Sequence, residues 1–163
     1  MLVKAPRGRL GHRGAPAIVP DDWTLVDEGP ARPGLIAPLS AWLESPDGAG
    51  VWVEGDAIVE DVAAPLLEAP VIAVRFPALA DGRGLTFARL LRTRYGYDGE
   101  LRAIGEIVPD LTEYMFRCGF DAFVLADRRQ AESAIACIQR MSDHYQGSVR
   151  QPLPAYRRVA EHL

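Results

Sequence analysis

From Leu35 onward, short hydrophobic runs alternate with segments in which apolar residues recur every three or four positions. The short runs, such as Val71 to Val74, are typical of buried strands, and the longer period is typical of amphipathic helices. This alternation is expected where crossover helices join parallel strands, so the sequence predicts an α/β fold with a mainly parallel sheet of about five strands. Such a sheet is either open and doubly wound or curled into a part-barrel.

Cap and turn residues locate the elements most sharply in the second half of the chain. A helix that runs through Tyr95 precedes a strand at residues 101–104, and Asp110 with Glu113 resembles a capping box for a helix that ends at Gly119. A strand at residues 120–125 follows, and Asp127 caps the final helix. The predicted apolar face of this helix consists of Ala131, Ala134, Ile135, Ile138, Met141 and Tyr145.

The two ends of the chain differ in composition from its middle. Residues 1–30 mix glycine, proline and charged residues without periodicity, which predicts a mobile or loosely docked N-terminal arm. Residues 31–148 form the predicted α/β domain. Residues 149–163 contain Pro152 and Pro154, and we expect them to form an extended tail.

Composition excludes several classes of protein. No segment approaches the roughly 18 uninterrupted apolar residues that a membrane helix needs, and the N-terminus lacks the apolar stretch of a secretory signal. The net charge of −4 argues against nucleic-acid binding. The chain has two cysteines, Cys118 and Cys137, which fits reduced thiols in the cytoplasm.

The sequence predicts no intrinsic metal, haem or iron–sulfur site, and it leaves the identity of any cofactor unknown. His12, His144 and His162 are scattered along the chain, whereas zinc needs three or four ligands at short spacings. Two cysteines are also fewer than the four thiolates that an iron–sulfur cluster takes.

The loop after the strand at residues 71–74 is the first candidate for chemistry. It places small, polar and charged residues near the start of a helix, where backbone N–H groups and the helix dipole favour an anion. The predicted anion-binding residues are Asp81, Gly82, Arg83, Gly84 and Thr86. The spacing is not a dinucleotide fingerprint, because Phe87 occupies the third glycine position. The alternative interpretation is a tight turn with a solvated arginine.

A second loop, at Gly105 and Glu106, follows the next strand. If the two loops meet at the sheet edge, Arg83 would act as an electrostatic clamp and Glu106 as the catalytic proton-transfer group. The alternative is a simple salt bridge from Glu106 to Arg83 or Arg89. Cys118 lies on the inward stripe of its helix, which indicates a packing role.

Several ordered motifs resemble a bacterial family of unknown function whose members are commonly labelled as oxidoreductases involved in sulfite reduction. The resemblance runs from about Val71 to Tyr156. The motifs are Phe76-Pro77, Asp81-Gly82-Arg83-Gly84, Leu90-Leu91-Arg92, Tyr97 with Gly99-Glu100-Leu101-Arg102-Ala103, Arg117-Cys118-Gly119-Phe120-Asp121-Ala122-Phe123, Tyr145-Gln146 and Pro152-Leu153-Pro154.

The resemblance implies a role beside assimilatory sulfite reduction but no mechanism and no catalytic residue. Three hypotheses follow. The chain is an accessory protein that binds sulfite reductase or its electron donor, or an oxidoreductase-type enzyme that binds a small anion or nucleotide at the Asp81–Gly84 loop, or a purely structural domain of a larger assembly. A ligand screen separates the second hypothesis from the first, and partner capture separates the first from the third.

Overall fold

The computed structural model describes residues 1–6, 15–78, 81–141 and 144–160, which form a mixed sheet covered by helices. The strands are β1 (Leu2–Lys4), β2 (Ala17–Val19), β3 (Thr24–Leu25), β4 (Leu35–Pro38), β5 (Gly50–Glu54), β6 (Val71–Phe76), β7 (Glu100–Gly105) and β8 (Ala122–Val124). The α-helices are α1 (Leu39–Glu44), α2 (Val59–Leu66), α3 (Arg83–Thr93), α4 (Thr112–Cys118), α5 (Arg128–Gln139) and α6 (Ala155–Ala160). A 3-10 helix at Pro109–Leu111 precedes α4.

The sheet confirms the α/β class and corrects the predicted strand count. Its eight strands lie in the order β2-β1-β8-β7-β6-β5-β4-β3, so the prediction of about five was too low. The three strands nearest the N-terminus have only two or three residues each, too few for an alternating pattern to be visible in the sequence. From β3 to β8 every neighbouring pair is parallel and consecutive in the chain, whereas β1 pairs antiparallel with β2 and β8.

Consecutive order places the helices on one face, so the sheet is a curled half-barrel rather than a doubly wound sheet. The larger hydrophobic cluster joins alternate strand residues, such as Ile72 and Val74, to the buried residues of α1 through α5. The intervening positions, such as Val71 and Ala73, belong to a smaller cluster on the concave face that contains no helix residue. A doubly wound sheet would have helices in both clusters.

The connection from β2 to β3 requires the sheet to curl. These strands lie at opposite edges, which in a flat sheet would be about 34 Å apart at the usual strand spacing. The five residue steps from Val19 to Thr24 span at most about 18 Å. The segment therefore crosses the concave face, where Trp23 packs on the smaller cluster and Asp21 Oδ2 lies 2.8 Å from Arg102 Nη1.

The first residues of the chain belong to the sheet rather than to a loosely docked arm. Leu2 and Val3 are buried, and β1 pairs along its length with β8. A strand of only three residues is stable here because β1 is hydrogen-bonded to a neighbouring strand on each side and also contacts α5. His12, part of the predicted arm, lies outside the described residues.

Three details of the helices differ from the sequence-based expectations. The capping box does not form, because the 3-10 helix displaces the start of α4 and Thr112 Oγ1 donates to the Pro109 carbonyl instead. Helix α5 ends at Gln139, which leaves Met141 and Tyr145 exposed beyond it. The tail is not extended throughout, since it contains α6. Prolines are compatible with the start of a helix, and the Pro154 carbonyl accepts the first hydrogen bonds of α6.

Candidate functional site

The loop between β6 and α3 holds Arg83 against two aspartates. Arg83 Nη2 lies 2.7 Å from Asp81 Oδ2, and Nη1 lies 3.3 Å from Asp56 Oδ2. Asp81 Oδ1 also accepts the Arg83 backbone N–H at 3.1 Å. The hydrogen bonds from Arg83 lower the pKa of Asp81 to about 2, and the same contact raises the pKa of Arg83. The two carboxylates leave this cluster with a net negative charge.

The structure requires a glycine at only one of the two glycine positions here. Gly82 precedes the first residue of α3. A Cβ on Gly84 would lie 2.8 Å from Phe76 Cζ and 3.0 Å from Val74 Cγ1, so only glycine lets α3 pack this closely on β6. Thr86 is exposed on the first turn of α3. Close packing of α3 on β6 therefore accounts for Gly84 without a ligand, whereas Gly82 has φ −83° and a Cβ there would lie 3.9 Å from Leu85 Cδ1, so the turn does not require a glycine at that position.

The loop after β7 brings Glu106 to the same edge of the sheet. Its backbone N–H donates to the Phe76 carbonyl at 2.9 Å, and its side chain is exposed. Gly105 has φ +93°, and a Cβ there would lie 2.4 Å from the Phe76 carbonyl oxygen. Within the described ranges, no ion pair joins Glu106 to Arg83 or Arg89; Arg83 pairs instead with Asp81 and Asp56.

The sequence analysis missed Arg75, which lies on the concave face near the end of β6. Its guanidinium stacks on Trp52 with its central carbon 3.8 Å from the ring centre. Asp27 is hydrogen-bonded to it, and Glu54 Oε1 lies 3.8 Å from Nη1. The sequence signal that could have identified Arg75 is its position as the one charged residue in an otherwise apolar strand. Acidic neighbours thus occupy both arginines at this edge.

The most extensively bonded charged pair consists of Arg92 and Asp121, which are 7% and 5% exposed. Arg92 Nη2 lies 2.9 Å from Asp121 Oδ2. The same guanidinium donates to the carbonyls of Tyr97, Gly99 and Gly119 at 2.6, 2.9 and 3.0 Å. Asp121 Oδ1 accepts the Leu101 backbone N–H at 2.7 Å. This Arg92–Asp121 cluster joins α3, the turn before β7, the end of α4 and the start of β8.

The Arg92–Asp121 cluster unites several of the sequence motifs, and the family comparison agrees with them. The family model described as "Bacterial protein of unknown function (DUF934)" matches residues 50–156. The chain belongs to this family. The predicted membership is therefore confirmed, and the DUF934 match spans β5 to β8 and the first residues of α6. No curated protein and no solved structure matches the chain.

The C-terminal part of the DUF934 match is bound firmly to α4. Arg150 donates to the carbonyls of Phe116, Gly119 and Phe120 at 3.2, 3.1 and 2.7 Å. Its guanidinium also lies over the Phe116 ring at 4.7 Å. The Val149 backbone N–H donates to the Arg117 carbonyl at 3.1 Å. Val149 and Arg150 therefore attach this part of the chain to α4.

Beyond this attachment, the segment exposes aromatic and cationic side chains that we call the C-terminal surface: Tyr145, Leu153, Tyr156 and Arg157. Tyr145 and Tyr156 are 71% and 56% exposed, and Leu153 is 41% exposed. The two tyrosine rings lie 5.8 Å apart. Arg157 is exposed on α6. Two of the sequence motifs, Tyr145-Gln146 and Pro152-Leu153-Pro154, contain residues of this surface.

The two thiols are free and both titrate above their ordinary range. Burial raises the pKa of Cys118, which lies at the end of α4, and burial together with Asp110 raises the pKa of Cys137 on α5. Among the described residues, no three histidine, cysteine or acidic side chains are grouped as metal ligands. No helix within the same ranges is long and apolar enough to span a membrane.

Proposed function

We propose that this protein is an accessory protein of assimilatory sulfite reduction, which binds sulfite reductase or its electron donor through the C-terminal surface. The link to sulfite reduction comes from the resemblance described under Sequence analysis. The observation that carries the binding role is the exposed tyrosine pair on a segment that Arg150 attaches to the domain.

The composition of the C-terminal surface suits protein binding. Tyrosine and arginine are over-represented among the residues that dominate interface energies, because they bury large areas and still form hydrogen bonds. The rings of Tyr145 and Tyr156 already pack against each other, tilted by 43°, before any partner binds, so little side-chain entropy is lost on association. Fixed aromatic side chains of this kind act as anchors.

Charge adds a preference for the partner's surface. The chain has a net charge of −4, yet the four residues that define the C-terminal surface include Arg157 and no acidic residue. A complementary acidic patch on the partner would speed association and orient the two proteins. Exposed cations of this kind act over about 10 Å at moderate salt, so binding should weaken as the salt concentration rises.

The Asp81–Gly84 loop gives less support to an enzyme. An electrostatic clamp for an anion needs a positive charge that is free to pair with the ligand. Arg83 is already shared between Asp81 and Asp56, and a ligand anion would have to displace these carboxylates. This arrangement favours the accessory hypothesis over catalysis by Arg83 and Glu106.

Binding to purified partners tests the proposal. The full chain is immobilised, and assimilatory sulfite reductase holoenzyme and its electron-donor protein are passed over it separately at low salt. We expect saturable binding of one of them, at least tenfold weaker for the double variant Tyr145→Ser, Tyr156→Ser. Ile58→Ser, which removes a 62% exposed apolar residue before α2, is the matched control and should bind normally.

Two results would contradict the proposal. One is that neither protein binds at low salt. The other is that the double variant binds as tightly as the wild-type chain, which would place the interface elsewhere.

A further inference from the structure

A cavity of about 310 Å³ lies between α3, α4 and residues 146–149. It does not include Arg75 or Arg83 at the ends of the parallel strands. This volume is near the lower end of the range for small-molecule sites. The side chains that line it and bear on its chemistry are Arg89, Tyr114, Arg117, Cys118, Gln146 and Ser148. The loop residues predicted as an anion site do not contribute to it.

The two arginines of the cavity have no acidic partner among the residues that the structure describes. Arg89 is exposed on α3 and forms no ion pair with a described residue, in contrast to Arg83 of the same helix and Arg94 directly after it. Arg117 lies 5.9 Å from the Tyr114 ring centre, and its Nε is shielded from solvent without a described hydrogen-bond partner.

The remaining polar groups of the cavity are donors or neutral. Ser148 Oγ accepts the Gln151 backbone N–H at 3.1 Å, so its hydroxyl hydrogen remains able to donate to a ligand. Gln146 offers an amide. Glu113, on the same helix, has its Oε1 2.9 Å from His144 Nε2. No acidic side chain lines the cavity among the described residues.

We propose that this cavity binds a small oxyanion of sulfur or phosphorus. Arg89 and Arg117 supply two positive charges from neighbouring helices, and the planar guanidinium matches the oxygen spacing of such anions. Ser148 and Gln146 add neutral hydrogen bonds to the remaining oxygens.

Calorimetry with the full chain tests the site through inorganic sulfate and inorganic phosphate, with sodium chloride matched for ionic strength. We expect saturable binding of at least one anion, weakened tenfold or more by Arg89→Gln. Arg129→Gln, an exposed arginine on α5, removes the same charge elsewhere and should leave the affinity unchanged. Arg117→Gln should also weaken binding. If Arg117→Gln fails to fold, the affinity of Arg89→Gln alone decides whether the cavity binds the anion.

Cys118 provides a second readout within the same cavity. The chain has only two cysteines, so peptide mass spectrometry separates the alkylation rate of Cys118 from that of Cys137. Saturating sulfate or phosphate should slow the reaction of Cys118 with iodoacetamide several-fold relative to chloride, because the anion blocks the cavity. The rate at Cys137 should not change.

The proposal is overturned if neither anion binds beyond the effect of ionic strength, or if Arg89→Gln binds as tightly as wild type. Equal slowing of both cysteines would also overturn it, since that result indicates general stabilisation. This test is independent of partner binding, which the tyrosine variants address.

Discussion

At the residue scale, Arg92 and Asp121 are the motif residues with the most clearly structural contacts among those described. Arg92 and Asp121 are nearly completely buried, and together they satisfy four backbone groups in the turn before β7, in β7 itself and at the end of α4. Breaking a buried ion pair leaves one charge without compensation, which costs far more than losing an exposed pair. The motifs that contain Arg92 and Asp121 are therefore explained by the stability of the fold, without any catalytic role.

We expect Asp121→Ala to lower the free energy of unfolding by about 3–5 kcal/mol, because Arg92 would remain buried without its carboxylate. Urea unfolding followed by circular dichroism measures the change. Glu132→Ala is the control: it removes the exposed Arg128–Glu132 pair, whose side chains are 77% and 58% exposed. That variant should lose less than about 1 kcal/mol. Equal losses in the two variants would contradict the assigned role of Asp121.

A pH-dependent effect is expected at Asp81. Its pKa is about 2 in the folded chain against 3.8 for the ordinary side chain, mainly through hydrogen bonds from Arg83. The unfolded chain therefore binds this proton at a higher pH than the folded chain does. The stabilisation is fully present above pH 3.8 and is lost as the pH falls towards 2.

Asp81→Asn removes this titration. The difference in free energy of unfolding between wild type and Asp81→Asn should be constant near neutral pH and shrink between about pH 4 and about pH 2. Urea titrations across that range measure the difference. A gap that stays constant down to the lowest pH would show that the Asp81–Arg83 contact does not persist in solution.

At the element scale, strong hydrophobic periods and caps made the middle of the chain predictable. The predicted strand at residues 71–74 lies within β6, and Asp127 caps α5 through a 2.8 Å bond from Gln130 N–H. Gly119 ends α4 with φ +114°, as the left-handed cap requires. These signals are local, because the residues within each element are sufficient to specify where that element begins or ends.

Elements that depend on distant contacts were not predictable in the same way. Strand β1 has three residues and exists because β8 and β2 flank it, and no local pattern indicates those partners. The cavity arginines are similar, since Arg89 and Arg117 lie on different helices and line one cavity only after α3 and α4 pack. The sequence instead drew attention to Arg83, whose local loop pairs it with Asp81.

At the scale of the whole molecule, the curled half-barrel separates three regions. Ion pairs occupy the ends of the parallel strands around Arg75 and Arg83. The segment after β2 fills the concave face through Trp23 and Asp21. The cavity and the C-terminal surface lie instead along α4 and the segment bound to it. A part-barrel was one of two architectures open to the sequence, and the order of the strands decides between them.

Hydrogen exchange of the full chain, with and without assimilatory sulfite reductase or its electron donor, tests the central claim most directly. The account predicts slower exchange in residues 145–158 when the partner is added, and no change in residues 81–86, because the contact lies on the C-terminal surface. Protection of residues 81–86 without protection of 145–158, or no protection with either protein, would contradict it.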